Sequence, residues 1–97
     1  YWSAGLHPHE ADRLNDVKQE LLSLMQDADL IGETGLDYYR NLSSKENQIK
    51  NFEFHINIAD DLNKPLIDIG ETTEILSFRS LEFFKEFYIR IPILHYK

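Results

Sequence analysis

The chain has 97 residues, 42% of them hydrophobic and 28% charged, which suits one small folded domain and argues against disorder. Its net charge of -7, from 17 acidic and 10 basic residues without a basic run, excludes a broad electrostatic grip on nucleic acid. The absence of cysteine excludes disulfides and thiolate metal sites and fits a reducing cytoplasm, and no apolar run is long enough for a membrane span.

Along the chain, short apolar runs alternate with amphipathic ones. Trp2 to Leu6 reads as a strand, broken by His7-Pro8-His9. From Ala11 to Met25 the residues Leu14, Val17, Leu21, Leu24 and Met25 recur at helical spacing. Leu30 and Ile31 form a short strand running into Gly32-Glu33-Thr34-Gly35. Ser43, with Glu46 three residues later, has the form of a capping box. The helix it opens carries Ile49, Phe52, Ile56, Ala59 and Leu62 on one stripe and closes at Asn63. Pro65 starts the next strand, Leu66 to Ile69. A third helix is expected over Glu74 to Tyr88, with Ile75, Phe78, Leu81, Phe84 and Tyr88 inward. The last strand is expected over Ile89 to Leu94, where Pro92 argues for an edge or a barrel rim.

The order β-α-β-α-β-α-β predicts an α/β fold of about four parallel strands with three crossover helices. Its strands end near His7, Glu33, Ile69 and His95, and in such folds chemistry gathers beyond the carboxyl ends of the strands. Glu33, flanked by glycines at a strand mouth, could bridge two divalent cations or merely solvate a turn. His7 and His9 around a proline could aim an imidazole at a phosphate or a metal, though histidines in a polar loop are more often plain surface. His95 could be a neutral imidazole ligand, whereas His55, beside the inward Ile56, reads as packing or surface. Asp37, Tyr38, Tyr39 and Arg40 follow Glu33 in a loop where arginine and tyrosine could hold phosphate oxygens, or simply form a solvated rim. The phenylalanines at 78, 83, 84 and 87 are core by default and form no base-stacking platform.

Three segments carry a family resemblance. Gly5-Leu6-His7-Pro8-His9, Ile31 to Arg40 with its GETGLDYYR string, and Ala59 to Pro65 resemble TatD-type metal-dependent deoxyribonucleases, strongly from Trp2 to Ile67. The resemblance implies a (β/α)₈ TIM barrel, two divalent metal ions (magnesium, manganese or zinc) and hydrolysis of phosphodiester bonds in DNA. It implies that Glu33 matches a metal-bridging glutamate, and that His7, His9 and Arg40 face substrate at the mouth of the site. Leu94-His95-Tyr96 resembles a further ligand histidine.

There are departures. After Lys64-Pro65-Leu66-Ile67 the family continues with a histidine-x-arginine-aspartate string, where this chain reads Asp68-Ile69-Gly70-Glu71-Thr72. The family's opening His-x-His strand is expected before Tyr1 and its late aspartate after Lys97, so residues 1–97 read as a partial, catalytically incomplete domain. A full barrel needs roughly 250 residues. The competing readings are a noncatalytic remnant binding a metal or a partner, and a related metallohydrolase acting on a small substrate. Open sheet edges would favour self-association.

Overall fold

A computed structural model describes residues 1–40, 42–69 and 73–76, the last of these through their backbone. The elements in chain order are β1 (Ser3–Ala4), a 3-10 helix (Pro8–Arg13), α1 (Leu14–Asp27), β2 (Leu30–Gly35), α2 (Lys45–Leu62), β3 (Leu66–Ile69) and β4 (Thr73–Leu76). The sheet order is β1-β2-β3-β4. The first three strands are parallel, with Ser3 opposite Leu30, Ile31 opposite Leu66 and Gly35 opposite Ile69. Each pair is joined across a helix, as the alternation of runs predicts.

The last strand departs from expectation. Residues 73–76 were expected as strand-to-helix connection and the start of the third helix, yet they pair antiparallel with β3, Ile69 opposite Thr73 and Leu66 opposite Leu76. β3 offers an open backbone edge, and the β-branched Thr73 and Ile75 suit a pleated partner better than a helix start. The sheet is therefore three parallel strands and one antiparallel strand, with two α-helices, among the described residues. The remainder of the expected third helix, the Ile89–Leu94 strand and His95 lie outside the described residues.

The first helix also begins differently. Residues 8–13 wind as a 3-10 helix because His7 caps it, its ring accepting from the His9 backbone N–H, while Pro8 stands where no N–H is needed. α1 then buries Leu14, Leu21 and Met25, leaves Val17 half-buried and exposes Leu24. α1 has no basic residue in its last turn; Lys64 Nζ, from beyond α2, donates to the carbonyls of Met25 at 2.8 Å and Gln26 at 2.6 Å instead.

α2 is capped by Ser44, not Ser43: the Ser44 hydroxyl accepts from Asn47 N–H at 3.2 Å. The Ser43 hydroxyl is used between segments, accepting from Asp12 N–H at 3.2 Å and donating to His9 O at 2.8 Å. Asn63 ends the helix in the left-handed region at φ 54°. Replacing Ser44 by alanine should cost about 1 kcal/mol of stability, read as a lowered urea midpoint. An unchanged midpoint would show that Asp12 alone suffices at this helix start, since its carboxylate already accepts from Ser44 N–H.

One core joins Met25, Ile31, Leu36, Phe52, Ile56 and Leu66. Full burial of each such side chain contributes roughly 1.5–3 kcal/mol. No described helix is long and apolar enough to cross a membrane.

Candidate functional site

The buried stripe of α2 runs through residues 48, 51, 52, 55, 56 and 59, and half of it is polar: Gln48, Asn51 and His55 are all fully buried. Each uses at least one polar side-chain atom to hold the backbone of the site segments. Asn51 Nδ2 donates to Leu6 O at 2.9 Å, and His55 Nε2 accepts from Leu6 N–H at 2.8 Å. Both backbone groups of Leu6 are thus satisfied just where β1 stops pairing, which fixes the start of the His7-Pro8-His9 turn. Since His55 Nε2 accepts, Nδ1 carries the hydrogen and donates to Asn51 O at 2.7 Å. Burial pushes the His55 imidazole down to about 4, against the opposing pull of the Asn51 carbonyl. Gln48 secures the second segment: its Oε1 accepts from Asp37 N–H at 2.6 Å and its Nε2 donates to Asp37 O at 3.1 Å and Ser43 O at 3.0 Å.

Held this way, the two segments enclose a cleft of about 80 Å³ lined by His7, Pro8, His9, Asp37, Arg40 and Ile69. That is room for roughly two or three waters, or one phosphate group. His9 Nε2 donates to Asp37 Oδ2 at 2.6 Å, and the Arg40 guanidinium donates to the same oxygen at 3.0 Å. The Arg40 backbone N–H takes the other carboxylate oxygen at 3.1 Å. Partial burial pulls the Asp37 carboxyl upward, but the His9 ring, the Arg40 amide and the Arg40 guanidinium outweigh it, and its pKa falls to about 2. The His7 and His9 rings meet edge to face at 4.2 Å. Burial and the neighbouring His9 hold His7 below its ordinary value, against the carboxylates of Glu33, Asp37 and Glu10.

Of the residues singled out from sequence, His7, His9 and Arg40 share this cleft. Glu33 is exposed on β2 and lies outside the cleft lining, near enough for its charge to act on His7. His95 lies outside the described residues. No group of three His, Asp or Glu side chains that could hold a metal ion occurs among the described residues. Ile69, near the position where the resemblance led us to expect a histidine, forms part of the cleft wall.

The family of TatD related DNases matches residues 1–68. The chain belongs to this family. It is 42% identical over 69 residues to the 3'-5' ssDNA/RNA exonuclease TatD of Pectobacterium carotovorum, covering 67% of this chain and 26% of that protein. Identity to the Escherichia coli protein of the same name is 39% over 69 residues, with the same coverage. An uncharacterized metal-dependent hydrolase of Buchnera aphidicola is 39% identical over 84 residues, covering 76% of this chain and 31% of that relative. The chain therefore spans between a quarter and a third of the length of these TatD relatives.

Within this TatD chain, sequence reading passed over Asp37 as a site residue, along with Gln48, which holds the Asp37 backbone, and Asn51 and His55, which hold the Leu6 backbone. The available signal was spacing: three polar residues fall on the stripe that Phe52, Ile56 and Ala59 define as inward. A polar side chain on such a stripe must find a partner, and here the partners are loop backbones.

Proposed function

We propose that this chain forms the substrate-facing part of a metal-dependent hydrolase of DNA phosphodiester bonds, and that the 97-residue chain by itself does not complete the reaction. The observation carrying this reading is the cleft in which His7, His9 and Arg40 meet, within a chain of the TatD family. Arg40 presents guanidinium hydrogens beyond the one given to Asp37, and planar guanidinium groups hold phosphate oxygens through paired hydrogen bonds. His7 accepts at Nδ1 from His9 N–H, so its neutral ring has the hydrogen on Nε2 and can donate to a second phosphate oxygen. The relatives' names support ssDNA or RNA as substrate and dependence on a metal.

By family resemblance Glu33 and His95 would help to hold the divalent ions, which when bound would polarise the phosphate and supply a hydroxide nucleophile. The described residues do not by themselves fit a two-metal centre: the Asp37 carboxylate is engaged by His9 and Arg40, Glu33 lies outside the cleft lining, Ile69 stands near the expected histidine, and no three ligand side chains gather. Ile69 also favours a second reading, a binding remnant without catalysis.

The test uses the purified chain and a labelled single-stranded oligonucleotide at low salt, with magnesium, manganese or zinc. The expected result is no hydrolysis, with oligonucleotide binding weakened about tenfold in Arg40→Ala, the scale of one lost charge-assisted hydrogen bond. Binding untouched by Arg40→Ala would sink the phosphate assignment. Metal-dependent cleavage that disappears in Glu33→Ala would show instead that the chain, alone or in copies, completes the site.

A further inference from the structure

We infer that Asp37 is a positioning residue, which fixes His9 as the hydrogen-accepting imidazole of the cleft and Arg40 as its cation. The inference rests on the reading of this cleft as substrate-facing. It starts from the two rings, which are chemically alike and yet held in opposite senses. His7 receives the His9 backbone N–H on Nδ1, so its neutral form carries the hydrogen on Nε2 and offers a donor. His9 donates from Nε2 to the Asp37 carboxylate, so its neutral form leaves Nδ1 with a lone pair and offers an acceptor. Among the described residues the His9 ring has no other hydrogen-bond partner.

Asp37 is suited to this role because its own position is set independently of the cleft. Its backbone N–H and C=O are both bound by the buried Gln48 side chain. Its side chain is largely shielded, with 16% exposure. One carboxylate oxygen serves His9 and the Arg40 guanidinium together, and the other takes the Arg40 backbone N–H. The carboxylate thus decides which nitrogen of His9 keeps its hydrogen, and it would balance the charge of an imidazolium formed when Nδ1 accepts a proton. The same group tethers one arm of Arg40 while leaving its remaining hydrogens for an anion. His7 and Arg40 thus offer donors to an anion in the cleft, while the His9 lone pair is left for a group that carries a hydrogen, such as water.

The test is two-bond proton–nitrogen NMR on the histidine rings of the whole chain, near neutral pH, without metal or nucleic acid. Wild-type His9 is expected almost wholly as the Nε2–H tautomer and His7 likewise. Asp37→Ala should lower the His9 tautomer ratio about tenfold or more, the effect of losing a charge-assisted hydrogen bond, while His7 keeps its tautomer. Arg40→Ala should leave the His9 ratio in place, because the carboxylate remains. An Nδ1–H tautomer of His9 in the wild type would overturn the inference, as would a folded Asp37→Ala chain with an unchanged ratio. Should Asp37→Ala fail to fold, the wild-type tautomer together with Arg40→Ala decides it. None of these readouts involves nucleic acid or metal, so an inverted tautomer and a failure of the hydrolase reading are separate results.

Discussion

Acidification from pH 6.5 to about 4 is expected to remove roughly 3 kcal/mol of folding stability through one side chain, His55. The ring is fully buried, and its only lone pair is engaged by Leu6 N–H. Protonation in the folded chain must break that bond and leave a buried charge facing an N–H. The unfolded chain takes up the proton near the ordinary value of 6.5, whereas the folded chain resists until about 4. Between those values the unfolded state binds more protons, so stability falls as pH falls and levels off below about 4. Asp37 works in a separate window: its carboxyl, held at about 2, contributes a loss only below its ordinary 3.8. His7, lowered in the same sense as His55 but half-buried, adds a smaller slope in the same window.

The variant His55→Gln separates these contributions. A glutamine amide can accept from Leu6 N–H and donate to Asn51 O without titrating. It should match the wild type at neutral pH to within about 1 kcal/mol and lose most of the acid slope. Urea unfolding followed across this pH range gives both values. Equal slopes in the two proteins would show that His55 is not the group responsible.

Gly35→Ala should cost roughly 3 kcal/mol or more, enough to leave a domain of this size mostly unfolded. Gly35 has φ +148°, a backbone conformation that side chains rarely adopt. It also faces β3 so closely that an added Cβ would fall on the Ile69 carbonyl and within 2.7 Å of an Asp68 carboxylate oxygen. Neither partner can yield cheaply, since one is backbone in a paired strand and the other belongs to a buried side chain. Relief requires β2 and β3 to part at the Gly35–Ile69 pair, which moves a wall of the cleft. The urea midpoint is the measure, and a loss below about 1 kcal/mol would mean that the strands are less tightly joined there than the geometry states.

How much of this was legible in the sequence follows the range of the interactions. Periodicity located α1 and α2 because Leu14, Leu21, Met25, Phe52, Ile56 and Ala59 repeat on faces that bury them. Asn63 was legible because helix termination is local backbone chemistry. Ser43 and Ser44 were not separable, since adjacent serines both offer a cap, and the choice fell to Asp12 and His9 some thirty residues away. Leu24 fits the apolar spacing of α1 and is nonetheless exposed. The helix expected from Glu74 illustrates the opposite failure: Ile75 opens the expected stripe of Phe78, Leu81, Phe84 and Tyr88, yet residues 73–76 pair with the open edge of β3. At the site, the GETGLDYYR string and the His-Pro-His turn were the segments singled out, and His7, His9 and Arg40 from them line one cleft. The clamp from Gln48, Asn51 and His55 went unread because polar residues on a helix suggest a solvated face until the stripe is drawn through them.

The return of β4 against β3 bears on the order of assembly. Parallel neighbours in this sheet are joined through a whole helix, so each such pairing must first close a long stretch of chain. The β3–β4 pair joins segments only a few residues apart and buries no comparable entropy loss. Hairpins of that kind form in about 1–10 μs, well ahead of long-range parallel pairing. Once formed, the pair occupies the flank of β3 where a further parallel strand would have to dock. Growth of the sheet on that side then becomes a strand-exchange event, whose rate is set by how readily the local hairpin opens.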